Sequence, residues 1–383
     1  MKAKRQKNWI RRAGFLLVLF GLVPALFKGF IASIPLVTAA AERAVFWSFG
    51  LTMPEGMLVL SDEIDEKGRG QAMQETEDDT PDRSEGNGQT QLSDPNTQIL
   101  QRPVKDAQPY EPTATDRDGP IVRETFKAGT TSAFIPIGNN AYIQNTTSVS
   151  SAAILSEIQK PPAFTIESGT EPQVLIMHTH TTESYEDASR DFYDESYNSR
   201  TTDNTKNMVR VGDEIEMQLK MAGIGVIHDK TLHDYPSYNG SYDRSRVTVE
   251  KILEEYPSIQ VVLDIHRDAI QRENGERVAP VVEVNGKNAA QMMIISCCDD
   301  GSGEIPNYME NLRFACALQR QMEGDYPGLT RPILFSCRHY NQDLTSGSIL
   351  VEVGAHGNSL DEAVYAGELL GKSLVKLLNG MKN

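Results

Sequence analysis

The chain has 383 residues, a net charge of -16 at pH 7 and 39% hydrophobic residues. This length allows one large domain or two ordinary ones, and the modest apolar content indicates that part of the chain does not pack into a core. The negative charge argues against nucleic acid as a partner, because phosphate binding needs concentrated Lys and Arg. The four cysteines form no CxxC pair and fit neither a zinc knuckle nor a disulfide framework.

The N-terminal region combines a basic tail with an apolar stretch. Residues 1–12 carry six Lys or Arg side chains, and residues 13–41 are mostly apolar, interrupted by Lys28. About 20 apolar residues can span a bilayer, and the positive-inside rule keeps the basic tail in the cytoplasm and exports the rest. We therefore predict a transmembrane anchor over 13–41, with the C-terminal domain on the cell-wall side of the membrane. A cleaved signal peptide is the alternative, because small residues follow Thr38.

Residues 61–120 have the composition of a disordered linker. They hold 15 acidic and 6 basic residues, a net charge of -9, and almost no large apolar side chains. Such a segment cannot bury a core, so we interpret it as a tether between membrane and domain. Residues 121–170 show only weak strand patterns, such as 132–137, and we assign them to a transition segment.

Strands alternate with helices over residues 171–383, the predicted catalytic α/β domain. One helix is indicated by the spacing of Met208, Val211, Ile215 and Leu219 by three and four residues, and Gly223 is a candidate for its C-terminal cap. The alternation predicts a single, mostly parallel twisted sheet flanked by helices. The predicted strands are 174–177, 224–227, 261–265, 281–284, 291–296, 333–336 and 349–353, with 281–284 and 291–296 joined as a hairpin. The predicted helices are 207–221, 243–255, 307–322 and 360–378.

Three of these strands carry His or Glu at or near their carboxyl ends. His178 and His180 follow 174–177, His266 follows 261–265, and Glu352 lies within an otherwise apolar strand. Ligands of open α/β sheets bind beyond the carboxyl ends of the strands, so these side chains are expected to meet. A buried carboxylate without a partner is costly, which indicates that Glu352 has a function.

This set of residue types fits hydrolysis at a zinc ion. Catalytic zinc takes three protein ligands, often His and Glu, and leaves one position for water. Bound zinc lowers the pKa of that water to about 7, and a carboxylate then moves the proton to the leaving group. His180, His266 and Glu183 are the candidate ligands, with Glu183 reaching the ion if the chain turns after the strand.

Other nearby residues have candidate secondary roles. Asp264 lies two residues before His266, on the same strand face, and could orient that ligand or form a salt bridge. By the same spacing, His178 shares a face with His180 and could be the ligand in its place. Arg267 could bind substrate or hold the loop that follows. The remaining histidines are interpreted as structural or surface residues; they are His228, His233, His339 and His356.

Four segments together resemble the stage II sporulation protein P family over about 170–383. They are His178-Thr-His-Thr-Thr-Glu-Ser-Tyr185, the stretch from His228 to Tyr242, Asp264-Ile-His-Arg-Asp268, and Val351-Glu-Val-Gly with Asn358. The resemblance implies a peptidoglycan hydrolase of forespore engulfment, with amidase and endopeptidase activity. It also implies stage II sporulation proteins D and M as partners. A non-catalytic cell-wall-binding scaffold of the engulfment complex is the alternative function.

The domain is further similar to zinc-dependent N-acetylmuramoyl-L-alanine amidases. That similarity implies that His180, and not His178, is the first zinc ligand, that His266 is the second, and that Glu352 is the catalytic glutamate. Those amidases carry a glutamate ligand about twenty residues before the glycine corresponding to Gly223, where this chain reads Thr202-Asp-Asn-Thr205. Glu183 is our replacement for it. Two further residues remain open as the third ligand, first Asp203 and then Glu195.

Overall fold

A computed structural model of the protein describes residues 117–167, 169 and 171–382. The predicted basic tail, the transmembrane anchor and almost all of the acidic linker lie outside these residues. Among the described residues, no helix is both long enough and apolar enough to cross a membrane.

The described part of the chain contains the strands and helices that the sequence predicts, and several more. The strands are β1 (Gly119–Glu124), β2 (Phe134–Gly138), β3 (Ala141–Asn145), β4 (Pro172–Met177), β5 (Phe192–Tyr193), β6 (Gly225–His228), β7 (Val261–Asp268), β8 (Arg277–Val284), β9 (Lys287–Ala290), β10 (Met292–Cys297), β11 (Ile333–Ser336) and β12 (Gly347–Ala355). The helices are α1 (Ser151–Glu157), α2 (Met208–Met221), α3 (Ser241–Glu255), α4 (Tyr308–Asp325) and α5 (Leu360–Asn379).

The central sheet is mixed, with the strand order β2-β3-β11-β10-β12-β7-β4-β6. Strands β12, β7, β4 and β6 run parallel to one another, but β10 runs antiparallel to β12. The expectation of a mostly parallel sheet is therefore wrong. The physical reason lies in the connection: a hairpin, and no crossover helix, separates β7 from β10, so β10 enters the sheet from the opposite end.

The hairpin itself differs from its predicted form. Asn285 and Gly286 turn the chain at positive φ, as expected for this dipeptide. The partner of β8 across the turn is β9, however, and β10 leaves to join the central sheet. Strands β8 and β9 instead belong to a second, four-stranded sheet with the order β5-β1-β8-β9.

Residues 119–145 take part in both sheets, although the sequence assigned 119–120 to the linker and 121–170 to a transition segment. Strand β1 pairs with β8 in the small sheet, while β2 and β3 extend the central sheet beyond β11. The folded unit therefore begins well before residue 171.

Helices cover both faces of the central sheet. The predicted apolar face of α2 is fully buried in the main core cluster, which it shares with α4 and α5. Helix α3 packs on the opposite face, where Val249 meets Leu175, Met177 and Val262. Asn207 caps α2 through a hydrogen bond from the backbone N–H of Val209. This layered core fixes the strands whose carboxyl ends carry the candidate site.

Candidate metal centre

Strands β4, β7 and β12 bring their carboxyl ends to one edge of the sheet. Strand β7 lies between the other two and is parallel to both. Because the strands are neighbours, the residues that follow β4 and those at the end of β7 are close in space, although about 85 residues of chain separate them.

His180, Glu183 and His266 form a buried cluster at this edge, which we call the His-Glu-His cluster. One nitrogen or oxygen from each residue lies within 4.8 Å of the others. The two carboxylate oxygens of Glu183 divide between the rings, with Oε1 3.8 Å from Nδ1 of His180 and Oε2 3.7 Å from Nδ1 of His266. All three side chains are at most 4% exposed.

The local backbone explains why Glu183 reaches the two histidines. After β4 the chain turns, and the N–H of Glu183 donates to the carbonyl of His180 at 3.1 Å. Oε2 of Glu183 also accepts the backbone N–H of Arg267, which follows His266 directly. A short turn thus places the carboxylate beside one histidine, and a hydrogen bond to β7 places it beside the other.

The other two candidates for the third ligand lie elsewhere. Asp203 is exposed and accepts hydrogen bonds from the N–H and hydroxyl groups of Thr205. Glu195 is exposed as well, and neither residue belongs to a metal-competent group of side chains in the described part of the chain. Of the three carboxylates, the structure brings Glu183 alone to the histidines.

The second ring nitrogen of each histidine has its own polar neighbour. Nε2 of His266 is 2.9 Å from Oδ1 of Asp264, as expected if Asp264 orients that ring. Asp264 is held in turn by the N–H and the hydroxyl of Thr179, at 2.8 and 2.7 Å. Nε2 of His180 lies 3.1 Å from the hydroxyl of Ser241, at the start of α3. Both Nδ1 atoms are thereby directed toward Glu183.

The two histidines have opposite electrostatic settings. Burial lowers the pKa of His180 well below its usual value, and the positive charges of His266 and Arg200 lower it further. Burial also acts to lower the pKa of His266, but the carboxylate of Asp264 overcomes that effect and raises the pKa to about 10. His180 is therefore a neutral imidazole with an available lone pair.

The cluster fits a zinc ion in its donor chemistry. Nδ1 of His180 is buried and has no hydrogen-bond partner among the described residues, which is costly unless a ligand satisfies it. Two imidazole nitrogens and one carboxylate are a common ligand set of catalytic zinc, and a bound ion would take the place of the proton that His266 otherwise carries. The assignment of His180, Glu183 and His266 as zinc ligands stays a prediction that this geometry supports.

Glu352 lies next to the cluster on the neighbouring strand. It is directly opposite His266 in the parallel register of β12 and β7. Residues paired in this way point to the same face of a sheet, so Glu352 and His266 share a face. The negative charge of Glu352 also acts on the pKa of His266 and on that of Tyr185.

His178 does not join the cluster, although it lies two residues from His180. Its Nδ1 contacts the carbonyl of Ile265 at 2.9 Å, and its Nε2 contacts Nε2 of His228 at 2.9 Å. The period-two rule fails here because β4 ends at Met177, and the chain is no longer extended beyond it. His178 thus packs beneath the site and His180 faces into it.

Arg267 holds the loop that carries Glu183. Its guanidinium donates to the backbone carbonyls of Ser184, Ser199 and Asp268. Two of these contacts hold the segment after Glu183, and only the contact with Asp268 involves the loop that follows Arg267. A role of Arg267 in substrate binding stays a prediction.

Two tyrosines and a serine near the cluster belong to the stretch from His228 to Tyr242 that carries the family resemblance, but no role in the site was predicted for them from the sequence. Tyr238 stacks on the ring of His180, with centroids 4.4 Å apart, and Tyr242 lies 5.5 Å from it in an edge contact. Ser241 contacts His180 from the same segment. Their proximity depends on how the connection between β6 and α3 folds back over the sheet edge, which no local sequence pattern shows.

The fold and the site define an α/β protein with a two-histidine, one-carboxylate centre at the carboxyl edge of its sheet. The chain belongs to the stage II sporulation protein P (SpoIIP) family, whose model matches residues 52–374. The stage II sporulation protein P of Bacillus subtilis (strain 168) is 31% identical over 215 residues, which are 53% of this chain and 49% of that protein. The chain thus matches about half the length of this curated relative.

Solved structures of amidases also show similarity, at low scores. The N-acetylmuramyl-L-alanine amidase Ami1 from Mycobacterium smegmatis is 12% identical, with 56% of this chain and 100% of that chain covered and a TM-score of 0.32. The N-acetylmuramoyl-L-alanine amidase from Clostridium difficile 630 is 16% identical, with coverages of 55% and 97% and a TM-score of 0.31. Scores this low add nothing to the family assignment.

Proposed function

We propose that this protein is a zinc-dependent peptidoglycan hydrolase, with N-acetylmuramoyl-L-alanine amidase and endopeptidase activity during forespore engulfment. The observation that carries the proposal is the convergence of His180, Glu183 and His266 from two strand ends within 4.8 Å. Membership of the stage II sporulation protein P family supplies the biological setting.

Each residue of the site has a role in this proposal. His180, Glu183 and His266 would hold the zinc ion, which when bound would supply a water of lowered pKa and polarise the scissile carbonyl. Asp264 and Ser241 fix the two histidine rings through their Nε2 atoms. Glu352, the carboxylate paired with His266 on the neighbouring strand, would accept the proton of the water and pass it to the leaving amine.

The experiment uses the purified full chain and isolated sacculi, with mass analysis of the released products. Amidase activity releases free stem peptides, and endopeptidase activity separates cross-linked peptides. We expect a chelator to stop both and added zinc to restore them. Undiminished release in the presence of the chelator would contradict the metal mechanism.

A non-catalytic cell-wall scaffold is the second candidate function. It is favoured by the burial of all three side chains of the His-Glu-His cluster, at most 4% exposed, and by the stacking of Tyr238 on His180. A scaffold would bind sacculi and release nothing. Binding without release, by a protein shown to be folded and zinc-loaded, would decide for the scaffold.

The proposal extends to location and partners. Residues 13–41 anchor the protein in the cell membrane with a single pass, and the domain acts on the cell-wall side together with stage II sporulation proteins D and M. Fractionation tests the location, since the full chain should stay with membranes at high salt. A chain that lacks residues 1–41 should be released. Pull-down with purified D and M proteins tests the partners, and a failure to retain either would remove that partner from the proposal.

A further inference from the structure

Two of the four cysteines meet at the carboxyl ends of neighbouring strands. Strands β10 and β11 run parallel, with Cys297 opposite Ser336. Cys298 and Cys337 are the next residues of the two chains, and the N–H of Cys298 donates to the carbonyl of Ser336 at 2.8 Å. The strand pairing thus extends to both cysteines, although their spacing in the sequence does not pair them.

The side chains of this pair lie on the same face of the central sheet. Phe335 and Cys298 belong to the main core cluster, whereas Ile295 and Leu334 pack on the opposite face. Cys337 is two residues after Phe335 and faces the same side, because side chains alternate along a strand. The thiol of Cys337 interacts directly with that of Cys298.

The spacing of the two chains suits a disulfide bond. Neighbouring strands lie about 4.7–4.9 Å apart, and a disulfide joins residues whose Cα atoms are usually about 4.4–6.8 Å apart. Rotation of the two side chains is therefore enough to join Cys298 to Cys337, without a large shift of either strand. Both residues are free thiols in the structure.

Hydrogen bonds around the pair hold both chains in position. Oε1 of Gln342, in the segment after Cys337, accepts the N–H of Cys297 at 2.9 Å, and its Nε2 donates to the carbonyl of Ile295 at 3.0 Å. In the turn after β10, the carboxylate of Asp299 accepts three backbone N–H groups. Because the backbone beside both thiols is already ordered, joining them costs little further conformational entropy.

The two thiols differ in their access to solvent. Cys337 is exposed, whereas Cys298 is only 3% exposed. Burial and the neighbouring thiol of Cys337 raise the pKa of Cys298 to about 12, so Cys298 is protonated at neutral pH. A dissolved oxidant therefore meets Cys337 first, and Cys298 reacts from within the protein.

The pair lies at the start of the connection between β11 and β12, which packs beside the His-Glu-His cluster. Tyr340 in this connection stacks on Tyr242, with centroids 5.1 Å apart, and Asn341 donates to the carbonyl of Tyr242 at 3.0 Å. Tyr242 in turn contacts the ring of His180. A bond between the two cysteines would thus fasten the root of a segment that supports the cluster.

We propose that Cys298 and Cys337 form a disulfide by exchange with an oxidant that itself carries a disulfide bond, such as oxidised glutathione. The thiolate of Cys337 attacks one sulfur of the oxidant, which gives a mixed disulfide and releases one thiolate. Cys298 then loses its proton to solvent and attacks Sγ of Cys337, which releases the second thiolate. The two protein thiols are oxidised, the disulfide of the oxidant is reduced, and its two thiolates take up the two protons.

The test treats the purified full chain with oxidised glutathione at about pH 8, where an exposed thiol is partly ionised. Remaining thiols are alkylated, and the cysteine peptides are mapped by mass spectrometry. We expect one pair of peptides joined through Cys298 and Cys337, in a chain about 2 Da lighter for the two hydrogens lost. Cys297 and Cys316, which are fully buried, should be alkylated only after unfolding.

Two serine variants test the order of the steps. Cys298→Ser should accumulate a mixed disulfide between Cys337 and glutathione, because the thiol that resolves it is missing. Cys337→Ser should take up no glutathione, since Cys298 is buried. The matched control is Cys316→Ser, which removes a buried thiol on α4 and should form the disulfide as the unaltered chain does.

Three outcomes in the unaltered chain would overturn the proposal. Both thiols could stay free, Cys337 could keep glutathione although Cys298 is present, or Cys337 could join a second copy of the chain. None of these outcomes depends on whether a variant folds. Product release from sacculi plays no part in them, so this test is separate from that of the proposed hydrolase function.

Discussion

Asp264 and His266 lie two residues apart on β7, and the Oδ1 atom of Asp264 is 2.9 Å from the Nε2 atom of His266. This contact directs the opposite ring nitrogen toward Glu183, 3.7 Å away. Asp264 is almost completely buried, and two hydrogen bonds from Thr179 keep it in place. The second contact of His266, a proposed zinc ligand, is thus built into the same strand as the histidine itself.

Replacing Asp264 with Asn should weaken zinc binding at the His-Glu-His cluster. The amide cannot supply the negative charge that orients and polarises His266, and losses of this kind are typically about 10–100-fold in affinity. Competition with a chromogenic chelator measures the effect. Asp343→Asn, which alters an ion pair with Arg246 and none of the three cluster residues, is the control and should leave affinity unchanged. Equal affinities for Asp264→Asn and the unaltered chain would contradict the role of Asp264.

The identity of the third ligand can be decided by three parallel substitutions. Glu183→Gln should abolish zinc binding at the His-Glu-His cluster, because a neutral amide is a poor ligand for zinc. Asp203→Asn and Glu195→Gln should retain it, since both residues are exposed. Zinc stoichiometry of the three variants, each checked for a cooperative melting transition, gives the answer. Loss of zinc in Asp203→Asn with retention in Glu183→Gln would reverse the assignment.

Glu352→Gln should separate zinc binding from turnover. The substitution keeps the shape of the side chain and removes its capacity to accept a proton, so zinc should stay bound while product release falls by about 100-fold or more. Quantifying muropeptides released from sacculi at a fixed zinc occupancy checks this. Full activity in Glu352→Gln would show that Glu352 has no part in catalysis. If both the unaltered chain and Glu352→Gln released no muropeptides and both functioned fully in the cell, the scaffold would be favoured.

Glu186 should make the domain less stable as pH rises. Burial raises its pKa to about 7, although the charges of Arg190 and Arg277 act in the opposite direction. A carboxyl whose folded-state pKa is raised contributes stability below its unfolded pKa and loses that contribution as pH rises through the folded value. Between pH 5 and 8 the loss is on the order of 2 kcal/mol. Urea denaturation at both pH values should show a change from pH 5 to pH 8 that is less favourable to the folded state in the unaltered chain than in Glu186→Gln, by about this amount. An identical pH dependence in both would contradict the raised pKa.

Gly212→Ala should destabilise the protein, although alanine is the better helix former. The added Cβ would lie 2.5 Å from Nε2 of His228, and overpacking of a buried site typically costs about 1–3 kcal/mol. Urea denaturation measures the loss in free energy of unfolding. The double variant Gly212→Ala/His228→Ala removes the nearer of the two rings that the added Cβ would meet, and His178, at 2.8 Å, remains. The glycine substitution should therefore cost less in that background, and equal costs in both backgrounds would show that His228 is not the reason for the glycine.

Local sequence patterns determined most of the secondary structure. The spacing of Met208, Val211, Ile215 and Leu219 predicts the buried face of α2 correctly, because a helix repeats its environment every 3.6 residues. The apolar runs before His178 and His266 likewise predict β4 and β7. The sequence also predicted that their carboxyl ends lie at one edge of the sheet, and the parallel pairing of β4 with β7 confirms this.

Three features depended on tertiary structure. The direction of β10 depends on the β8–β9 hairpin, which belongs to the small sheet. Strands that pair across a long stretch of chain show no local sequence pattern, so the sequence did not predict this direction. The separation of His178 from His180 depended on where β4 ends, because the period of two holds only while the chain is extended. The approach of Glu183 to His266 required a turn and a hydrogen bond to β7 at once.

The sequence by itself determined which elements carry the histidines and carboxylates. Only the packing of those elements decided which side chains meet, because local periodicity orients a residue within its strand or helix and leaves the path of the connecting loops open.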